Sequence, residues 1–271
     1  MFEDDKRSRD KMAPLLKRVL IADPMPASAR LFSDLLRDIA GGEVWVAANA
    51  ERALNIAESY DPQLIVVELG HENLDGLALV RKLRRSTWSC RQAPIITVTG
   101  AATASAILAA RDAGVHEFLR KPYSMKDLMR RLEAVTLKAR DWVEAVGYIG
   151  PDRRRFNSGE YDGDLKRRTD GSETPYQQKI SQALKIVRAA VAASETDPEQ
   201  ALRAMVTQAN ALQSIATDFR LTLAASAFYR HLSNCAHAGG VFTRAEAQEW
   251  AAPLLTFLPK AADTGRGKVA A

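Results

Sequence analysis

The sequence has few cysteines and lacks any long apolar run. Cys90 and Cys235 are its two cysteines, and their separation does not fit metal-ligand spacing. Such sparse cysteine usage is typical of a reducing compartment, so we expect a cytoplasmic location. No stretch approaches the ~20 apolar residues of a membrane span, so we do not expect membrane insertion. The N-terminal residues are charged rather than basic followed by apolar, so we predict no secretory signal.

A strong charge of one sign is also lacking, because the formal net charge is only +5 over 271 residues. That charge is dispersed, and no helix-turn-helix pattern with a basic recognition helix is found, so nucleic-acid binding is not favoured. Glycine-rich phosphate loops, paired catalytic acids and nucleophile triads are missing as well. We therefore predict a protein that binds other proteins and is not an enzyme.

Short apolar runs alternate with amphipathic stretches over residues 18–146. The predicted strands are 19–22, 44–47, 64–68, 95–99 and 115–119, and the predicted helices are 27–40, 51–59, 77–85, 103–113 and 125–138. Apolar strands joined by helical crossovers indicate a parallel sheet buried on both faces. We predict an α/β domain with a five-stranded, doubly wound parallel sheet, preceded by a charged N-terminal tail at 1–17.

Polar residues stand at or just beyond the carboxyl ends of four predicted strands. They are Asp23, Glu68, Thr99 and Lys121. In open α/β sheets the functional crevice lies at this edge, so we expect the four side chains to converge there.

Four of these segments together resemble a known family. They are residues 19–23 (Val-Leu-Ile-Ala-Asp), 64–68 (Leu-Ile-Val-Val-Glu), 95–100 (Ile-Ile-Thr-Val-Thr-Gly) and 118–122 (Phe-Leu-Arg-Lys-Pro). They resemble the receiver domain of bacterial two-component response regulators, of the alphaproteobacterial kind, and imply its flavodoxin-like fold. By position, Glu68 then stands at the phosphoacceptor and Thr99 at the hydroxyl residue that contacts the phosphoryl group. Lys121 stands at the paired lysine and Phe118 at the aromatic switch position.

The resemblance also implies a divalent metal held by two acidic residues, of which this sequence keeps one. Asp23 matches the first acid with Pro24 at the second, or it matches the second acid with Ala22 at the first. Either alignment leaves a weakened site, so we expect weak Mg²⁺ binding at most and no other cofactor.

The two departures disfavour phosphotransfer, because a cation normally offsets the repulsion between carboxylate and phosphoryl group. Glu68 is one methylene longer than aspartate, which displaces the nucleophile. We therefore hypothesise a pseudo-receiver fixed in one conformational state, in which Glu68 pairs with Lys121 and accepts from Thr99. Two alternatives stay open: a structural ion pair left after activity was lost, and phosphorylation retained on Glu68.

The last helix of this domain is predicted to run on through Trp142 and Val146, and a basic, flexible linker is predicted at 147–175. Residues 148–155 and 161–168 look like two copies of one motif. The motif resembles Gly-Pro-(Asp/Glu)-Arg-Arg stretches of alphaproteobacterial regulators. A solubilising linker is the favoured interpretation, and a nucleic-acid-binding output through residues 153–168 is the alternative. The pairs Arg81-Lys82 and Arg84-Arg85 are interpreted as a solvated helix face.

Residues 176–259 show apolar stripes at helical spacing, for example Ile180, Leu184, Val187 and Val191. Thr243 and Glu246 form a candidate capping box. We predict an all-α bundle that serves interaction or dimerisation, followed by a disordered tail at 260–271.

The receiver resemblance and the helical region together imply a signalling adaptor in a two-component phosphorelay. Its expected partners are a histidine kinase, another response regulator or a second copy of the chain, bound through residues 103–138.

Overall fold

A computed structural model describes residues 2–138, 140–153 and 174–258. The chain divides into two compact units. The first unit contains the described residues up to Val143 together with 148–153. The second, which we call the helical unit, contains Glu144–Gly147 and the described residues from 174 onward.

The first unit is built on a parallel five-stranded sheet. Its strands are β1 (Arg18–Ala22), β2 (Glu43–Ala47), β3 (Leu64–Glu68), β4 (Ile95–Thr99) and β5 (Glu117–Arg120), in the order β2-β1-β3-β4-β5. This order is that of flavodoxin-like doubly wound folds, so the predicted sheet is confirmed. Both β3 and β4 are buried at every position, as expected for central strands covered on two faces.

Helices cover both faces of this sheet. They are α1 (Phe2–Met12), α2 (Pro26–Ala40), α3 (Ala50–Tyr60), α4 (Gly76–Arg85), α5 (Ala104–Asp112) and α6 (Met125–Thr136). Alternate strand residues point to opposite faces and form two apolar clusters. Leu20 and Ile65 pack with residues of α3, α4 and α5. Ile21 and Val66 pack with residues of α2 and α6.

The predicted N-terminal tail is wrong for most of its length, because residues 2–12 form α1. Met12 and Leu16 are fully buried in the cluster on the α2 and α6 face. Burying two large apolar side chains fixes the segment on the domain, by about 1.5–3 kcal/mol each. Nine of the residues before Leu15 are charged or polar. Among them, the few apolar residues show no clear helical pattern in the sequence.

The predicted extension of α6 through Val146 is also wrong. That helix ends at Thr136, and two short strands follow, β6 (Trp142–Glu144) and β7 (Ile149–Pro151), which pair with each other. The strand β7 lies within the predicted linker, and the rest of that linker from residue 154 to 173 lies outside the described residues. The second motif copy and most of the alternative nucleic-acid segment lie there too.

The helical unit contains α7 (Pro175–Ala192), α8 (Pro198–Ile215), α9 (Phe219–His237) and α10 (Arg244–Leu255). Their apolar stripes meet in one core, so the predicted all-helical region is confirmed. Thr243 and Glu246 form the predicted capping box, in which each side chain bonds the backbone of the other residue. The predicted tail at 260–271 lies beyond the described part. Among the described helices, none is long and apolar enough to cross a membrane.

Candidate functional site

The fold brings the predicted polar residues to one edge of the sheet. Asp23 follows β1, Glu68 ends β3, Thr99 ends β4 and Lys121 follows β5. Asp23, Glu68 and Thr99 are all buried. These four residues define what we call the crevice.

Lys121 is the centre of the crevice. Its Nζ lies 2.5 Å from Oε2 of Glu68 and 3.8 Å from Oδ2 of Asp23. It also donates to Oγ of Ser28 at 3.0 Å. Sequence reasoning missed Ser28, whose one signal is its place in the first turn of α2, which directly follows Asp23. The ammonium group is therefore held by two carboxylates and one hydroxyl.

A close helix–strand approach fixes the backbone at Glu68. Gly76 begins α4, and a Cβ atom there would lie 2.5 Å from the carbonyl oxygen of Glu68. Only glycine fits so close an approach. Asp75 caps the same helix by accepting from the backbone N–H of Ala78 at 2.9 Å. The Asp75-Gly76 pair thus positions the end of β3 that carries the glutamate.

Burial raises the pKa of the Glu68 carboxyl above its usual value. The hydrogen bond and charge of Lys121 oppose that rise, and the negative charge of Asp23 adds to it. The pKa of Tyr123 is raised for similar reasons, first by burial and then by Asp23 and Glu68. Lys121 thus offsets the effect of burial on the Glu68 carboxyl only in part.

The donor set of the crevice does not fit a hard divalent cation. Within the described ranges, no group of three or more His, Cys, Asp or Glu side chains could hold a metal ion. Asp23 Oδ1 accepts from the N–H of Met25 at 2.8 Å, while Oδ2 faces Lys121. Mg²⁺ requires octahedral oxygen ligands, whereas here a protein cation already lies between the carboxylates.

The structure bears on the two alignments of the lost acid. Ala22 is fully buried in the apolar cluster beneath α3 and α4, whereas Pro24 is partly exposed. An acid at position 22 would be buried among apolar side chains at high cost. This favours the alignment in which Pro24 stands at the second acidic position.

The hydroxyl of Thr99 and the ring of Phe118 have different surroundings. The Thr99 hydroxyl accepts from the N–H of Ala101 at 3.1 Å. No hydrogen bond joins Thr99 to Glu68 in the part of the chain that the structure describes, so the predicted Thr99–Glu68 bond is wrong. Phe118 is partly buried and packs against the apolar cluster that Leu20 and Ile65 share with α3, α4 and α5.

Arg84 forms a second polar centre, away from the crevice. It is only 1% exposed, so its interpretation as part of a solvated face is wrong, whereas Arg81, Lys82 and Arg85 are exposed. The signal in the sequence was its spacing of four from buried Val80. Burial lowers the pKa of Arg84 to about 9.

Backbone carbonyls satisfy the Arg84 guanidinium. Its Nε and Nη2 donate to Gly114 O at 3.0 and 2.8 Å, and Nη1 donates to Arg91 O and Ala93 O at 2.5 and 2.9 Å. Nη2 also lies 3.1 Å from Nδ1 of His116. Trp142 stacks over the guanidinium, with Cζ 5.2 Å from the ring centroid.

The described part of the first motif copy, residues 148–153, packs within the first unit rather than being part of a flexible linker. The Tyr148 hydroxyl donates to Pro151 O at 2.6 Å. Arg153 stacks on the Tyr148 ring at 3.9 Å and pairs with Asp112 at 2.5 Å. A Cβ atom on Gly150 would lie 2.7 Å from the Cα of Gly114, so the two glycine backbones are in direct contact.

Comparisons with known proteins agree with this geometry. Residues 19–133 match the family described as response regulator receiver domain. The chain is 28% identical over 149 residues to the transcriptional regulatory protein PdtaR of Mycobacterium tuberculosis, covering 55% of this chain and 71% of that protein. It is 32% identical over 117 residues to the KDP operon transcriptional regulatory protein KdpE of Escherichia coli, covering 43% of this chain and 50% of that protein.

Solved structures of similar proteins cover the same part of the chain. One is the receiver domain of the sensor histidine kinase PA1611 of Pseudomonas aeruginosa, which is 24% identical with a TM-score of 0.41 and covers 45% of this chain and 98% of that one. Another is a putative response regulator of Chloroflexus aurantiacus, which is 28% identical with a TM-score of 0.41 and covers 44% of this chain and 97% of that one.

Proposed function

We propose that residues 19–133, which match the family described as response regulator receiver domain, form a pseudo-receiver of two-component signalling that signals without phosphorylation. The observation that carries the proposal is the ion pair in the crevice. Glu68, at the phosphoacceptor position, places Oε2 2.5 Å from Nζ of Lys121.

The ion pair supports a fixed state because it supplies internally what a phosphoryl group would supply. The charge and hydrogen-bonding capacity of Lys121 are taken by Glu68, Asp23 and Ser28. A charge-assisted hydrogen bond of this kind holds its partners more firmly than a neutral one. The lysine is therefore oriented towards the end of β3 without a covalent modification.

The missing acid supports the same proposal. Transfer from phosphohistidine to a carboxylate brings negative groups together, and a hard cation normally offsets their repulsion. Pro24 supplies no ligand, and Lys121 lies between the two remaining carboxylates. The residues present therefore disfavour the reaction that a receiver performs.

We propose that the adaptor works by binding proteins through the exposed face of α5, β5 and α6. Ile107, Leu108 and Met125 are exposed apolar residues on this face. The basic residues exposed on the same three elements are Arg111, Arg120, Lys126 and Arg130. Exposed apolar and basic side chains on the same elements favour a partner that has both apolar and acidic groups. Receiver domains interact with histidine kinases and other signalling proteins, so we propose that the partner is a histidine kinase or another response regulator. The alternative partner is a second copy of this chain. We also propose that the protein acts in the cytoplasm.

The test measures partner capture and phosphoryl transfer on the same variants. We expect wild-type chain to capture its partner without a phosphodonor and to gain no label from phosphorylated histidine kinases. Glu68→Gln, which keeps the shape and removes the charge, should weaken capture about tenfold or more. Glu58→Gln, at an exposed position of α3 outside the proposed binding face, serves as the charge-matched control.

Two outcomes would contradict the proposal. A stable label on wild type that disappears in Glu68→Ala would establish phosphorylation on the glutamate. If Glu68→Gln and Lys121→Ala both capture the partner like wild type, the ion pair is structural and carries no signal.

A further inference from the structure

The core of the helical unit contains a short non-helical segment, Glu144–Gly147. Gln208 Nε2 donates to the backbone carbonyl of Glu144 at 3.1 Å. Gln200 Nε2 donates to the Glu144 carboxylate at 2.8 Å and to Ala145 O at 3.3 Å. Two side-chain amides of α8 thus bind the main chain and the carboxylate of one segment.

Packing alone does not explain these glutamines. Gln200 is completely buried and Gln208 is 7% exposed, and they lie two turns apart on one side of α8. The residues around them on α8, including Ala204 and Met205, belong to the apolar core. A buried amide is costly unless it is hydrogen-bonded, so leucine would suit a helix that only packs. Ala204, which lies between the two glutamines, leaves space for a backbone to approach.

The segment also contributes an apolar anchor, because Val146 packs against the same core. Hydrogen bonds to main-chain carbonyls can form with any peptide sequence. Contacts to a carboxylate and to a small aliphatic side chain require a peptide that has those side chains. The contacts therefore describe recognition of a Glu-Ala-Val peptide.

A further buried group in the groove points to a ligand. Gln200 Oε1 has no hydrogen-bond partner among the described residues, although it is shielded from solvent. A buried acceptor without a donor costs about 1–3 kcal/mol. A bound peptide that offers one more N–H at this point would relieve that cost.

We propose that α8 of the helical unit forms a peptide-recognition groove for acidic–small–aliphatic segments, and that residues 144–147 occupy it as an internal ligand. The inference concerns the helical unit and is independent of the pseudo-receiver proposal. An internal ligand is present at an effective concentration in the millimolar range. A peptide of the same class in another protein therefore binds when the internal segment is weakened or displaced.

The test uses the full-length chain and a fluorescein-labelled peptide, Val-Glu-Ala-Val-Gly, which has the sequence of residues 143–147. Anisotropy is measured for wild type, for Glu144→Ala/Val146→Ser, and for that variant with Gln200→Leu/Gln208→Leu added. We expect the first double variant to bind the peptide at least tenfold more tightly than wild type. The added leucines should abolish binding, and a peptide with alanine in place of glutamate should bind at least tenfold more weakly.

Circular dichroism and thermal melting establish that each variant keeps its helical fold. Absence of peptide binding to a folded Glu144→Ala/Val146→Ser chain would overturn the proposal, as would equal binding after the leucine substitutions. If that double variant unfolds, hydrogen exchange on wild type decides. Millimolar peptide should accelerate exchange of the amides at 144–147, and unchanged exchange would show that the segment is only core packing.

Discussion

Lys121 Nζ lies 2.5 Å from Glu68 Oε2 and 3.8 Å from Asp23 Oδ2, so one cation faces two buried carboxylates. The pKa of Glu68 is nevertheless raised, because burial outweighs the effect of the lysine. The charged form of Glu68 is therefore less favourable in the folded chain than in the unfolded chain. Removing Lys121 and removing the charge of Glu68 should therefore change the stability of the fold by different amounts.

We predict that Lys121→Met destabilises the fold by about 2–3 kcal/mol, whereas Glu68→Gln changes stability by less than about 1 kcal/mol. Removing the lysine leaves Glu68 and Asp23 without their shared cation, and removing the glutamate charge relieves a desolvated group. Lys121 is 29% exposed, which places its effect below that of a fully buried pair. Urea unfolding at pH 7 measures both, and an equal loss in the two variants would contradict the asymmetry.

The dependence of stability on pH also tests whether burial raises the pKa of Glu68. A raised folded-state pKa means that the folded chain binds the Glu68 proton at higher pH than the unfolded chain. Wild type should therefore gain stability relative to Glu68→Gln as the pH falls from 7 towards ~4.5, the pKa of an unperturbed glutamate. A constant difference across this window would show that Glu68 titrates normally.

His116 should make stability fall on acidification, in the opposite direction to Glu68. Its Nδ1 accepts from Ile95 N at 3.2 Å and faces Arg84 Nη2, and burial followed by the charges of Arg84 and Arg140 holds its pKa well below the usual value. Below pH ~6.5 the unfolded chain therefore binds a proton that the folded chain does not. Unfolding free energies between pH 5 and 8 should decline below pH 6.5 in wild type. His116→Asn keeps an acceptor without titrating, so the decline should be smaller there, and an identical decline would rule out His116 as its cause.

Among the basic residues 81, 82, 84 and 85 of α4, we expect Arg84 to contribute most to the stability of the fold. Arg84→Met leaves the carbonyls of Gly114, Arg91 and Ala93 without the donors that the structure gives them, and we expect a loss of about 3–4 kcal/mol. Arg81→Met, on the exposed side of the same helix, should change stability by less than about 0.5 kcal/mol. Thermal unfolding of the pair measures this, and similar melting temperatures would mean that the buried contacts contribute little.

The sequence was sufficient for the sheet, because five apolar runs alternate with five amphipathic helices. The crevice followed from the same pattern, since Asp23, Glu68 and Lys121 stand at strand ends. Other features left too little signal. At the N-terminus, buried Met12 and Leu16 stand among many charged residues and give little apolar signal. Strands of three residues are too short to show a period. Arg84 differs from its solvated neighbours only by its position on the helix face. Ser28 lies in a helical first turn, where a serine is unremarkable until Lys121 is placed beside it.

Gly150 should tolerate no side chain, in contrast with Gly147 in the turn before it. A Cβ atom at Gly150 would lie 2.7 Å from the Cα of Gly114 and 2.8 Å from the Tyr148 hydroxyl, whereas Gly147 has no atom within 4 Å of that position. We expect Gly150→Ala to cost about 1–3 kcal/mol and Gly147→Ala less than about 0.5 kcal/mol. Equal stability of the two alanine variants in urea would mean that the motif does not pack against Gly114.

Restoring the two lost features should restore phosphorylation if they are what prevents it. Glu68→Asp shortens the carboxylate and separates it from Lys121, and Pro24→Asp supplies a second acid at the partly exposed position beside Asp23. We expect Mg²⁺-dependent labelling by a small-molecule phosphodonor in the double variant, at least about tenfold above either single variant. Asp23→Asn added to the double variant is the matched control, because it removes the one acid that the sequence kept, and it should abolish the label. Labelling of wild type to the same extent would mean that neither Glu68 nor Pro24 blocks the transfer, and the fixed-state interpretation of the ion pair would fail with it.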